Sequence, residues 1–157
     1  MRATRKSRRA GFTLLELMTA TIVVALLVSI AVPTYFARVD RLKVDQAKRD
    51  LLELAGAIER YRTANSFRLP DSLADLTNVP TLDPWNNAYQ YLNFDSDDPS
   101  VKGKIRKDHN LHPLNSEFDL YSMGADGTSS PALTAAASKD DVLWARDGTF
   151  VGLGSDF

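Results

Sequence analysis

The groups in this sequence that could do chemistry are mostly carboxylates. Glu16 is the only charged residue between Phe12 and Ala37, near the start of a long apolar run. A carboxylate at the edge of such a run is costly to desolvate and calls for a partner. Asp95, Asp97 and Asp98 have a metal-like spacing, but no glycine scaffold flanks them and they read as a solvated loop. His109 and His112 are the only histidines. An i, i+3 pair can hold a metal on a helix, but Asn110 and Pro113 work against a helix there. Asp108 and Glu117 lie nearby, as a hydrolytic site would need. No helical metal pair, glycine-rich phosphate loop or nucleophile elbow accompanies them. The chain therefore reads as something other than an enzyme. The absence of cysteine excludes disulfides, thiol catalysis and thiolate metal sites.

The elements that position these groups follow from charge and periodicity. Arg2, Arg5, Lys6, Arg8 and Arg9 precede the apolar run with no acid among them. Without those five, 14 basic residues face 20 acidic ones, a net of −6. The body of the chain has no basic nucleic-acid footprint. Leu17–Ala37 is 21 residues without a charge. As a helix it would run about 31 Å, close to the hydrocarbon thickness of a bilayer. Beyond Ala37 the pattern becomes amphipathic. Val44, Ala47, Leu51, Leu54, Ala55, Ile58 and Tyr61 recur at spacings of three and four, one face of a helix. Asp45 with Arg49 and Glu59 with Arg62 are exposed pairs on it. One helix from about Thr13 to Ala64 is predicted, and its heptads are too irregular for a coiled coil. Residues 65–157 are loop-rich. A brief helix is predicted at 70–76, capped by Asp71 or Ser72. Strands are predicted at Tyr89–Phe94, Phe118–Met123 and Phe150–Leu153, forming a small antiparallel sheet on the apolar stripe. Residues 128–139 read as an exposed flexible insertion.

Arg9-Ala10-Gly11-Phe12-Thr13-Leu14-Leu15-Glu16-Leu17 resembles the class III signal of type IV pilins and pseudopilins. The resemblance implies an α+β type IV pilin fold: a cleaved basic leader (1–11), a transmembrane and filament-core helix (12–37), its amphipathic continuation (38–64) and a small globular domain (65–157). It also implies cleavage between Gly11 and Phe12 by a prepilin peptidase, and N-methylation of Phe12. Glu16 would then be the assembly carboxylate, and Pro33 the proline that softens the helix. Basic residues flank the span on both sides, so the orientation with the leader inside rests on the resemblance. Two further segments are similar to the major pseudopilin of type II secretion: Asp83-Pro84-Trp85-Asn86-Asn87-Ala88-Tyr89-Gln90-Tyr91 and Asp119-Leu120-Tyr121-Ser122-Met123-Gly124-Ala125-Asp126-Gly127. The first also reads as a turn into a strand, with its aromatics in the core. Residues 95–116 and the tail after Trp144 depart from the pattern.

The resemblance further implies calcium in the loop after the Gly-Ala-Asp-Gly turn. Carried over, the ligands are Asp126, the backbone carbonyl of Met123, and Asp140 or Asp141. The loop here is longer than the family's and contains Pro131 and an alanine run, and the plain alternative is an Asp-Gly turn with a solvated acidic pair. The function implied is a filament subunit in an inner membrane, with its C-terminal domain in the periplasm. Its partners would be copies of itself, a prepilin peptidase, minor pseudopilins and an assembly platform driven by a cytoplasmic ATPase. A surface type IV pilus (adhesion, motility or DNA uptake) is the alternative in the same class. An exported enzyme or binding protein cut by signal peptidase near Ser29-Ile30-Ala31, and an uncut anchor, are the alternatives outside it.

Overall fold

The computed structural model describes residues 11–109 and 111–157, so the basic tract and Asn110 lie outside the described residues. The chain divides into two compact units, Met1–Val39 and Asp40–Phe157. One helix, α1 (Leu14–Ala64), contributes to both.

In the first unit, helix α1 begins where Thr13 caps it. The Thr13 hydroxyl accepts from the Glu16 amide at 3.2 Å, and the Thr13 carbonyl takes the first helical bond from Leu17. The side chains of Leu14, Leu15, Leu17, Ile22, Leu26, Leu27 and Ile30 are all exposed. The stretch is long and apolar enough to cross a membrane. Its hydroxyls bond within the helix: Thr19 to the Glu16 carbonyl, Thr21 to Met18, Ser29 to Leu26 and Thr34 to Ile30. A hydroxyl satisfied by its own helix carries no unpaired donor into an apolar medium. Pro33 lies inside the helix, where it deprives the Ser29 carbonyl of its usual donor.

In the second unit, the C-terminal part of helix α1 buries one stripe. Ala47, Leu51, Leu54 and Ile58 are fully enclosed, and Ala55 nearly so. They pack against Tyr89, Phe118, Leu120 and Val142 from the sheet side. The sheet has four antiparallel strands in chain order: β1 (Gln90–Asn93), β2 (Phe118–Ser122), β3 (Val142–Ala145) and β4 (Phe150–Leu153). Phe118 and Trp144 stack with ring centroids 4.8 Å apart and planes 8° from parallel. A second, smaller cluster joins Leu114, Leu133, Leu143 and Ala145, with Phe150 and Phe157 edge to face beside it.

The predicted helix end at Ala64 agrees with the structure, as do the centres of β1, β2 and β4. Strand β3 has no counterpart among the predicted elements, nor has the single-turn helix α2 (Val101–Lys104). The brief helix near residue 73 is one 3₁₀ turn, Leu73–Asp75, which Ser72 caps reciprocally with Asp75. On helix α1, Arg62 pairs with Glu59 and with Glu117, but Asp45 meets Lys48 rather than Arg49. Residues 128–139 are not an exposed insertion. Leu133 and Ser138 are buried, and Pro131 and Leu133 pair through the backbone with Lys107.

The helix stripe also holds a buried polar group. Asp50 accepts from the Tyr89 hydroxyl at 2.7 Å and from Gln46 at 2.6 Å. Burial, then the bond and charge of Asp50, push the Tyr89 hydroxyl well above the usual phenol range. Burial and the nearby Asp71, Asp75 and Asp95 do the same to Tyr91. As pH rises past about 10, both phenols therefore ionise first in the unfolded chain, whose greater proton loss favours unfolding. Denaturant unfolding of the detergent-solubilised chain should show a stability plateau below about pH 10 and a decline above it. Tyr89→Phe should make that decline shallower. It should also cost about 1–3 kcal/mol on the plateau, because Asp50 loses a buried donor.

Candidate functional site

The first candidate site lies at the start of helix α1. Phe12 is 84% exposed and stands outside the helix, whereas Glu16 occupies its first turn. There the carboxylate gains from the positive end of the helix dipole, which suits Glu16 to the position. Among the described residues no cation lies within ion-pair distance of it. Gly11, Phe12, Thr13 and Glu16 thus belong to one short exposed segment: a small residue, an aromatic, a capping threonine and an acid. A carboxylate at the head of an apolar helix calls for a partner charge.

The second candidate region joins the two sequence segments singled out in the globular domain. Asp83 is buried and organises the turn that follows it. Its Oδ1 accepts from the amides of Trp85 and Asn87, at 3.0 and 2.8 Å. An Asp at the head of a turn does this readily, because its carboxylate reaches the amides two and more residues on. The Asp83 Oδ2 accepts from the Ser122 hydroxyl at 2.5 Å, and that hydroxyl accepts from the Gly124 amide. Asn87 donates to the Gly124 carbonyl at 2.9 Å. The Asp-Pro-Trp turn and the Gly-Ala-Asp-Gly turn are thereby sewn together at the end of strand β2. Gly124 has a φ of +65°, and a Cβ there would collide with the Asp140 carbonyl. Both its conformation and its clearance require glycine.

The residues assigned to calcium lie around the loop from β2 to β3, where their carboxylates already have partners within the chain. The Asp140 Oδ2 accepts from the amides of Ala125 and Asp126, at 2.9 and 3.0 Å, so it closes the turn itself. The Asp126 Oδ1 turns back to the Thr128 amide. Asp141 is fully buried and belongs to a different neighbour: its Oδ2 lies 2.5 Å from Arg106 Nη2 and accepts from the Ser129 hydroxyl at 2.6 Å. Its remaining oxygen, Oδ1, is buried and unpartnered. A guanidinium already on the same carboxylate repels any second cation that approaches it. Among the described residues no three His, Cys, Asp or Glu side chains gather as a metal would require. Asp141 is thereby unsuited to a metal, and one oxygen each of Asp126 and Asp140 is engaged by backbone amides of the turn.

Arg106 is a residue that sequence reasoning does not single out. It is 3% exposed, its guanidinium stands 4.0 Å from the centroid of the Tyr121 ring, and its Nη1 donates to Ser129. Its backbone amide donates to the buried Asp119 at 2.7 Å, which Asn115 also contacts. Burial pushes the carboxyls of Asp119 and Asp141 up, while their hydrogen bonds and the Arg106 charge oppose it. Nothing local in the sequence distinguishes Arg106 from Lys104 and Lys107 beside it. The role of Asp83 does have a local signal, since Asp-Pro is a common turn opening. The other acidic cluster and the histidines are brought to no common site. Asp98 caps its own turn through Ser100, and His109 is exposed beside Asp108.

Comparison with known proteins agrees with this reading. Residues 6–32 match the prokaryotic N-terminal methylation motif. A relative from Pseudomonas aeruginosa named type II secretion system core protein G is 32% identical over 144 residues, covering 78% of this chain and 88% of that protein. Proteins of the same name from Aeromonas hydrophila and Vibrio cholerae are 30% and 28% identical, and 87% and 89% of their lengths are covered. No solved structure matches the chain significantly.

The stitched turns predict a specific sensitivity. Asp83→Ala removes a buried acceptor of three hydrogen bonds and strands the Ser122 hydroxyl. It should destabilise the full chain in detergent by about 3 kcal/mol or more, measured by denaturant unfolding. Asp98→Ala, which touches only an exposed loop, should shift it by no more than about 0.5 kcal/mol.

Proposed function

The chain belongs to the type II secretion system core protein G family, and from that premise we propose that it works as the major pseudopilin, polymerising into the filament that helps drive protein export. A member of this family is a structural subunit and not an enzyme. The surface-pilus alternative is not favoured, since the relatives are named for type II secretion.

The observation that carries the mechanism is the lone Glu16, one helical turn past the exposed Phe12 at the head of an apolar helix. In our reading a prepilin peptidase cuts after Gly11 and methylates the new N-terminus at Phe12. The freed amine is then the cation that Glu16 lacks. On a neighbouring subunit the pair sets axial register as the helix leaves the inner membrane. Cohesion comes from packing the exposed apolar side chains of residues 12–36 among subunits, at about 1.5–3 kcal/mol for each large one fully buried. The globular domain lies on the periplasmic side. An assembly platform, a cytoplasmic ATPase and minor pseudopilins complete the machinery. The match to the methylation motif supports the processing step.

Mass spectrometry of the membrane-derived protein in its native host tests this. The expected mature chain starts at Phe12 and carries one methyl group. A start near Val32 would overturn the reading. Glu16→Gln should still be cut and inserted but should lower filament yield about tenfold or more, as loss of one charge-assisted contact per subunit implies. Exported proteins should then accumulate in the periplasm.

A further inference from the structure

The loop between β2 and β3 runs from Met123 to Asp141 with no disulfide, and among the described residues no three His, Cys, Asp or Glu side chains cluster in it. A segment of that length needs fastening, and the structure supplies a cation from within the chain. We propose that the Arg106 guanidinium takes the place of a divalent ion in this loop, so that the domain folds and assembles independently of calcium.

The geometry is that of a built site. The guanidinium is enclosed, with Asp141 at 2.5 Å, Ser129 at 2.8 Å and the Tyr121 ring stacked at 4.0 Å. These contacts come from three places: Tyr121 from strand β2, Ser129 from the middle of the loop, and Asp141 from its end. One planar cation thus ties the start, middle and end of the loop, as a metal would through its separate ligands. The backbone around Arg106 is held as firmly. Its amide donates to Asp119, its carbonyl accepts from Leu114, and its neighbour Lys107 exchanges backbone bonds with Pro131 and Leu133. The remaining acid, Asp140, closes the Gly124–Asp126 turn through backbone amides alone. Arg106 lies in the connection between β1 and β2, so the cation reaches this loop from a separate segment of the chain.

Calcium titration of the full chain in detergent, with calorimetry and thermal unfolding, decides the matter. The wild-type protein, stripped with a chelator, should give no binding heat, and its Tm should be the same in chelator and in about 1 mM calcium. Arg106→Met should lower the Tm by more than about 10 °C in both conditions, because it leaves the Asp141 charge buried and unpaired. The proposal is overturned if the wild type binds calcium and gains several degrees from it, since a micromolar site would do that at about 1 mM. It is also overturned if Arg106→Met is as stable as the wild type. Should Arg106→Met fail to fold, the wild-type comparison alone decides between the two outcomes.

Discussion

The globular unit depends on the enclosure of Leu51, Leu54 and Ile58 by the sheet. Four strands of four or five residues cannot bury enough surface to stand alone, and a sheet that small requires a partner layer. The partner is the C-terminal part of helix α1, whose exposed residues are mostly polar. Core and anchor are therefore read from a single helix whose sequence changes character near residue 38. Before that point the apolar side chains run all round the helix. After it one apolar stripe is buried and the sheet covers it, while Leu42 and Leu52 remain exposed off that stripe.

Around this core the loops are fastened by carboxylates. Asp83, Asp119, Asp140 and Asp147 each accept backbone amides from segments that no regular strand or helix would satisfy. A carboxylate is well suited to this work: it accepts several N–H groups at once, and charge-assisted bonds are the stronger kind. Without cysteines the domain relies on such acceptors. Many of its acids are consumed internally instead of presenting negative charge for a ligand. Asp141 differs from these four in that its partner is a buried charged side chain.

The features legible in the sequence are those that repeat or punctuate. The helix stripe is periodic, and its end at Ala64 is where the pattern gives way to loop residues. Glu16 is visible because it is the sole charge in a long apolar run. Strands β1, β2 and β4 carry aromatic or β-branched residues between turn signals. Strand β3 escapes because Val142–Ala145 is only four residues, three of them buried, with no alternation to mark it. It also follows two adjacent acids that suggest solvent. Residues 128–139 read as solvent-exposed on their small and polar composition, yet Leu133 and Ser138 are inside. Arg106 is invisible for a deeper reason. Its partner lies 35 residues away, and an arginine in a basic, loop-rich stretch is ordinarily at the surface.

The strands lie in the sheet in the order in which they occur in the chain. Each new strand joins the edge left by the one before it, and none must be threaded between two already in place. The entropy lost in closing the connecting loops grows only with the logarithm of their length, so the long connections before β2 and β3 cost little more than short ones. The helix stripe, by contrast, meets Leu120 and Val142 only across many tens of residues, so it is the packing of sheet on helix that demands the long-range search. If the polypeptide reaches its compartment progressively from the helix end, the order of arrival is also the order of assembly. The template stripe comes first, and every later segment finds its docking edge already present.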